Sequence, residues 1–227
     1  FFVPDHEGRD ERSEGDDSEF RQLLAGYAPG VQPYRYPEGV AKLVPAGSDV
    51  IFELHYTPTG RPASDLSRVG LILAQAPPER RALTALVLNG GFAIPPGAAN
   101  HRVVARSAGR AEFEVLGFQP HMHLRGKSFE YRVQRPGEEM RTVVSVPRYD
   151  FNWQFSYDPA EPFVLKPGTV IECIAHFDNS PNNPANPDPT KEVRWGDQSF
   201  EEMMIGFMEV AVGKDADPAR LLGRAKR

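Results

Sequence analysis

Two histidines separated by one residue, His121 and His123, form the pattern in this sequence that is best suited to chemistry. The residues on both sides, 112–116 and 128–133, alternate polar with apolar side chains as β-strands do. If the strand runs through the pair, both imidazoles point to one face with their backbones roughly 6.6 Å apart, close enough to meet at one ion. The pattern predicts a metal site. Solvent-facing or hydrogen-bonded histidines are the alternative interpretation.

Two histidines leave a metal site short of donors, and the candidate for the third is Met203, at the entrance to the predicted last strand, 204–212. A thioether is a soft, uncharged ligand that favours copper, above all Cu(I), over magnesium, calcium or zinc. A core methionine that fills a gap is the alternative. The adjacent Glu201 and Glu202 make a purely core position less obvious for Met203 than for Met208.

Two further histidines have mainly structural interpretations. His55 lies on a predicted strand, 49–57, and points away from its more apolar side, so that a surface histidine is expected from the pattern alone. His176 is a possible extra ligand, but a hydrogen-bonded structural histidine is favoured. Asp197, Gln198 and Glu202 are candidates for groups that orient the imidazoles.

Composition excludes several functional classes. The 227 residues carry a net charge of −5 without a basic stripe, which argues against nucleic acid as the main partner. No apolar run approaches the roughly 20 residues that span a bilayer. The single cysteine, Cys173, rules out an internal disulfide and a cysteine-cluster metal site. Phosphate-binding glycine loops and nucleophile motifs are also missing from the sequence.

The spacing of strands and turns predicts an all-β fold. Pro (22) and Gly (20) are spread along the chain, which suits many short strands joined by turns. Two runs, 49–57 and 68–74, are expected strands, and 82–89 is expected as a strand or a brief helix. The run 94–97 (Ile-Pro-Pro-Gly) is the best internal boundary. The strands expected after it are 102–105, 111–118, 127–133, 141–146, 153–157, 170–178 and 204–212, and a short helix is expected to follow Asp217.

The sequence resembles the copper type II, ascorbate-dependent monooxygenases, a family that includes peptidylglycine α-hydroxylating monooxygenase and dopamine β-monooxygenase. The matching elements are the run 94–97, the run 121–127 (His-Met-His-Leu-Arg-Gly-Lys), the Glu-Glu-Met run 201–203, and 54–56 (Leu-His-Tyr). The resemblance extends from about residue 52 to residue 212. It implies two antiparallel, jelly-roll-like β-sandwich domains, of which the first is incomplete.

The resemblance also implies domain limits and roles for residues. Residues 1–92 would be the remainder of an N-terminal sandwich that holds an electron-transfer copper, 93–213 the catalytic-copper sandwich, and 214–227 a tail with a short helix. His121, His123 and Met203 would be the ligands of the catalytic copper, where dioxygen is activated, and His55 one ligand of the second copper. The His-His pair that completes the second site in the family is missing from this sequence. A truncated first domain or a divergent member with a single copper would explain this.

The substrate cannot be transferred from the family. The positions that hold the substrate's carboxylate in the peptidylglycine enzyme are occupied here by Gln119, Ile205 and Phe207, which supply no charge-assisted donor. We therefore expect a monooxygenase that hydroxylates a C–H bond of an unknown small molecule with dioxygen and an ascorbate-like reductant. The alternatives are a copper-binding module without turnover and a metal-free interaction sandwich. A bacterial relative, exported to the periplasm or the cell exterior, is expected from the resemblance.

Overall fold

Two five-stranded sheets form the body of the molecule in the computed structural model, which describes residues 2–3, 23–56 and 59–225. The first sheet has the order β10-β7-β13-β4-β2 and the second has the order β14-β6-β11-β8-β9. Neighbouring strands are antiparallel except for β2 and β4, which are parallel. The all-β, sandwich-like architecture expected from the sequence is confirmed.

The strands have the following bounds. The first sheet contains β2 (Val40–Ala41), β4 (Arg80–Leu88), β7 (Phe113–His121), β10 (Phe163–Leu165) and β13 (Ile205–Gly213). The second contains β6 (His101–Gly109), β8 (Gly126–Gln134), β9 (Arg141–Val146), β11 (Val170–Phe177) and β14 (Leu222–Arg224). Two small sheets pair β1 (Phe2–Val3) with β3 (Asp49–Val50), and β5 (Ala93–Ile94) with β12 (Val193–Arg194).

The core lies between the two large sheets because each strand turns its apolar residues to the same side. Phe113 and Met208 from the first sheet and Phe129 and Tyr131 from the second are nearly or fully excluded from solvent and belong to one apolar cluster. The Tyr131 hydroxyl donates to the backbone carbonyl of Phe207 at 2.9 Å, so its polar atom is satisfied inside the core. This packing fixes the first sheet, which carries the candidate site at one end.

The predicted strands are found where a partner strand exists. Strand 141–146 has the predicted bounds, and 82–89 belongs to β4 rather than to a helix. Of 49–57 only Asp49–Val50 is a strand, and residue 57 lies outside the described residues; 68–74 is exposed and has no strand. Of 153–157 only Tyr157 forms a bridge, to Phe118. Alternation alone does not make a strand, since its backbone groups need a hydrogen-bonding neighbour.

The predicted domain boundary lies between two strands that pair with each other. β4 pairs with β13 along its whole length, from the Ile205–Leu88 pair to the Gly213–Arg80 pair. A boundary after residue 92 would separate this pair of strands, and the division of the chain into two units stays a prediction.

Near the end of the chain, Pro218–Arg220 forms a 3₁₀ turn that Asp217 caps by accepting from the backbone N–H of Ala219, as the sequence indicates. In the described parts of the chain, no helix has the length and apolar character needed to cross a membrane.

Candidate metal centre

The end of β7 and the beginning of β13 bring the predicted ligands to one place. β7 ends at His121, and its register pairs this residue with Ile205, the first residue of β13. Because antiparallel neighbours run in opposite directions, the residues that precede β13 lie alongside those that follow β7. Extended by two residues, this register would set Met203 opposite His123. Contacts of Glu201 and Glu202 with His123 bring the segment that carries Met203 beside the histidine pair.

The two imidazoles face each other edge to face. Their ring centroids are 5.2 Å apart and the ring planes meet at 82°. His123 is 5% exposed and His121 is partly buried. The Nδ1 atom of His121 lies 2.8 Å from Oε1 of Gln154, and Nδ1 of His123 lies 3.3 Å from the backbone carbonyl of Glu201.

Burial keeps both imidazoles in their neutral, metal-binding form. Removal from water lowers the pKa of His121 to about 4; the charges of His123 and His55 act in the same direction, and the hydrogen bond to Gln154 opposes them. Burial also lowers the pKa of His123, against the backbone carbonyls of Glu201 and Gln198. At neutral pH both rings are therefore uncharged and carry a lone pair that can bind a cation.

A buried glutamic acid side chain joins the histidine segment to the segment before β13. Glu202 is 0% exposed, and its two oxygens accept the backbone N–H groups of His123 at 2.8 Å and of Arg125 at 2.6 Å. Burial raises the pKa of Glu202 to about 8, although these two N–H groups and the Arg125 guanidinium act to lower it. The side chain next to Met203 thus fixes the backbone at His123.

The guanidinium of Arg125 extends this connection to the Asn/Pro-rich loop 179–190. Arg125 is 2% exposed; its Nε donates to Oδ1 of Asn179 at 2.9 Å and its Nη1 to the carbonyl of Phe200 at 2.8 Å. Asn179 in turn donates to the carbonyls of Pro95 and Lys191. The loop is therefore held against the segment that follows His123.

Tyr149 fixes the residue between the two histidines. Its hydroxyl donates to the carbonyl of Met122 at 2.7 Å and accepts the N–H of the same residue at 3.0 Å. Met122 is fully buried, so its side chain anchors the segment in the core while the imidazoles on either side point away from it. Gly126 makes the close approach possible, because a Cβ there would lie 2.7 Å from Cδ1 of Tyr149 and 2.8 Å from Cβ of Met122.

The other predicted ligands lie as follows. Met203 is partly buried beside His123, as described. The imidazole of His55 is exposed and hydrogen-bonds Oε1 of Glu53 at 3.0 Å, although its charge reaches the two histidines. His176 pairs with the hydroxyl of Ser128 at 3.1 Å, which agrees with the structural role expected for it.

The groups that support the histidine segment are harder to find in the sequence than the ligands. Glu202 stands beside a predicted ligand and is a candidate on that ground. Gln154 falls in the predicted strand 153–157, Tyr149 in a loop and Arg125 in the run 121–127, but none of these positions predicts a contact with the histidine segment. Only the fold brings them to the site.

The donor set agrees with copper. The described part of the chain has no cluster of three or more His, Cys, Asp or Glu side chains that could hold an ion, so a carboxylate-rich or cysteine-rich site is not formed by these residues. The structure brings together two neutral imidazoles, and the predicted thioether ligand belongs to the neighbouring segment. Nitrogen and soft sulfur donors together suit copper better than calcium or magnesium, which prefer oxygen.

Comparison with known proteins finds a distant sequence relative and several solved structures of low similarity. No family model matches the chain. Over 173 residues it is 25% identical to the human protein named "Putative DBH-like monooxygenase protein 2", which covers 69% of this chain and 35% of that protein. The chain thus spans about a third of the length of this relative.

Two of the similar solved structures are of infectious bursal disease virus. The Gt strain structure has a TM-score of 0.29 and 12% identity, and covers 77% of this chain and 42% of that chain. The Gx strain structure has a TM-score of 0.24 and 12% identity, and covers 69% and 40%. At these TM-scores the likeness says nothing about function.

Proposed function

We propose that this chain is the copper-binding domain of a monooxygenase that hydroxylates a C–H bond of a small molecule with dioxygen and an ascorbate-like reductant. The observation that carries the proposal is the approach of the His121 and His123 imidazoles at the end of β7, beside the segment before β13 that carries Met203. The sequence similarity to a DBH-like monooxygenase supports the same class of reaction. The family resemblance supports a location in the periplasm or outside the cell.

In this proposal the three side chains hold one copper ion. The ion, when bound, supplies one-electron redox chemistry and the activation of dioxygen. The neutral imidazoles of His121 and His123 donate nitrogen lone pairs, and the thioether of Met203 favours the reduced metal. Glu202 and Tyr149 hold the backbone of the histidine segment through four hydrogen bonds, so the ligands are in place before an ion arrives.

A neutral, largely apolar substrate fits the surface beside the histidines. Register partners share a face of the sheet, so His121 shares its face with Ile205 and Leu88, and the next row consists of Gln119, Phe207 and Leu86. Leu86 and Leu88 are 40% and 48% exposed, and the Phe207 ring lies 6.1 Å from that of His121. These rows contain no cation that would bind a carboxylate. We therefore propose a substrate without an acidic group.

His55 is proposed as a ligand of a second, electron-transferring copper, with its remaining ligands supplied from elsewhere. Its exposed imidazole is free of the core and is held only by Glu53 in the described part of the chain. Replacement of His55 by Ala is expected to leave the first copper bound and to slow its reduction.

Copper content tests the proposal directly. The protein is loaded with copper, desalted and analysed for metal, alongside His121→Ala, Met203→Ala and the control His176→Ala, whose imidazole pairs with Ser128 away from the pair. We expect one copper per chain in the unmodified protein and in the control, none in His121→Ala, and weaker binding in Met203→Ala. Ascorbate-dependent oxygen consumption is then measured on the loaded protein. Equal copper content in all four proteins would contradict the assignment, and copper binding without oxygen consumption would indicate a carrier.

A further inference from the structure

The position of the Gln154 side chain determines which ring nitrogen of His121 carries the proton. It lies in the connection between β9 and β10, is 2% exposed, and sets its side-chain oxygen 2.8 Å from Nδ1 of His121. A contact between an amide and an imidazole leaves two arrangements, because each group can either donate or accept. The surroundings of the amide decide between them.

The other end of the amide faces a group that can only accept. The Nε2 atom of Gln154 lies 2.9 Å from the backbone carbonyl of Phe151 and donates to it. The reversed amide would bring two oxygens together there and would leave the carbonyl without this donor. Since the amide oxygen therefore faces His121, the hydrogen between them must belong to Nδ1 of the imidazole.

We infer that Gln154 is a positioning residue that holds His121 in the tautomer protonated on Nδ1, which leaves the Nε2 lone pair for a metal ion. A ligand histidine that donates its other ring N–H to an oxygen is fixed in both orientation and basicity. The statement about the proton concerns the metal-free protein. Its consequence for copper rests on the proposed function.

Gln154 is itself held from two sides. Its backbone N–H donates to the carbonyl of Pro29 at 2.9 Å, and the preceding turn is closed by the Trp153 N–H, which donates to the carbonyl of Asp150 at 3.0 Å. Gly30, at a positive φ of 91°, packs against this backbone, where a Cβ would come within 3.1 Å of the Gln154 nitrogen. The amide therefore does not follow the imidazole but defines its position.

Nitrogen NMR of the metal-free protein tests the inference. Two-bond correlations between ring protons and ring nitrogens, recorded well above the pKa of His121, distinguish a protonated Nδ1 from a protonated Nε2. We expect a protonated Nδ1 in the unmodified protein. Gln154→Leu, which removes the acceptor, is expected to move the proton wholly or partly to Nε2. Gln134→Leu, at the exposed end of β8, serves as the matched control.

Two results would overturn the inference: a protonated Nε2 in the unmodified protein, or an unchanged tautomer in folded Gln154→Leu. If the leucine variant does not fold, the tautomer of the unmodified protein still decides. Copper affinity is the second measurement, with a loss of about ten- to a hundredfold expected in Gln154→Leu and little change in Gln134→Leu. A protonated Nδ1 in a protein that binds no copper would sustain the role of Gln154 and refute the proposed function, so the two failures are distinguishable.

Discussion

Removal of the buried Glu202 carboxyl group should destabilise the protein more than removal of a surface carboxylate does. Its oxygens are the acceptors of two backbone donors, the N–H groups of His123 and Arg125, in a place without access to water. A buried donor that loses its partner costs about 1–3 kcal/mol, so Glu202→Ala should lower the free energy of unfolding by about 2–6 kcal/mol. Glu202→Gln keeps one acceptor oxygen and should lose about 1–3 kcal/mol.

The assay is urea-induced unfolding of the metal-free protein at neutral pH, with Glu192→Ala as the control. Glu192 is about half exposed and pairs with Arg194 at 2.7 Å, so its removal should change the free energy of unfolding by less than about 1 kcal/mol. Should the alanine variant fail to fold, the glutamine variant supplies the comparison. Equal stability of the Glu202→Gln and Glu192→Ala proteins would refute the view that this carboxylate holds the histidine segment.

Three further substitutions test the packing around the site and the core. Gly126→Ala would press a methyl group against Tyr149 and Met122 and should lower the free energy of unfolding by about 1–3 kcal/mol, whereas Gly213→Ala meets nothing within 4 Å and should leave it nearly unchanged in the same denaturation assay. Tyr149→Phe removes the hydroxyl that both donates to and accepts from the Met122 backbone and should lower Tm with a loss of about 1–3 kcal/mol; an unaltered Tm would contradict these contacts. Thr169→Val should stabilise the protein by about 1 kcal/mol, because the buried Thr169 hydroxyl has no hydrogen-bond partner among the residues that the structure describes; a loss of stability would show that a partner exists.

Strands were predictable from the sequence where alternation coincides with a neighbour. The run 141–146 alternates and finds β8 beside it, so it forms the strand that its pattern indicates. The run 68–74 is equally apolar and remains exposed without regular structure. Alternation indicates that one face of a segment can be buried, but a strand also needs a partner strand. Neither of two distant segments predicts by itself that they will pair.

Of the candidate site, only the proposed ligands carry a signal in the sequence. The spacing of His121 and His123, and the place of Met203 after two glutamates, mark these residues in the sequence. Whether they come together depends on the register between β7 and β13. A shift of one residue would turn Ile205 and its neighbours to the other face of the sheet. The pattern predicts Gln154 only as part of a strand, 153–157, and does not predict its contact with His121, which forms across the connection between β9 and β10.

The groups around the histidines are far apart along the chain, and this determines when their contacts form during folding. The hydrogen bond from His121 to Gln154 joins residues 33 positions apart, and that from His123 to Glu202 joins residues 79 positions apart. Contacts between residues so far apart in the sequence form after local structure, because the intervening chain must first close into a loop. The imidazole environment is therefore expected to mature only when β13 has joined the sheet, so that histidine NMR signals would follow completion of the sandwich during refolding.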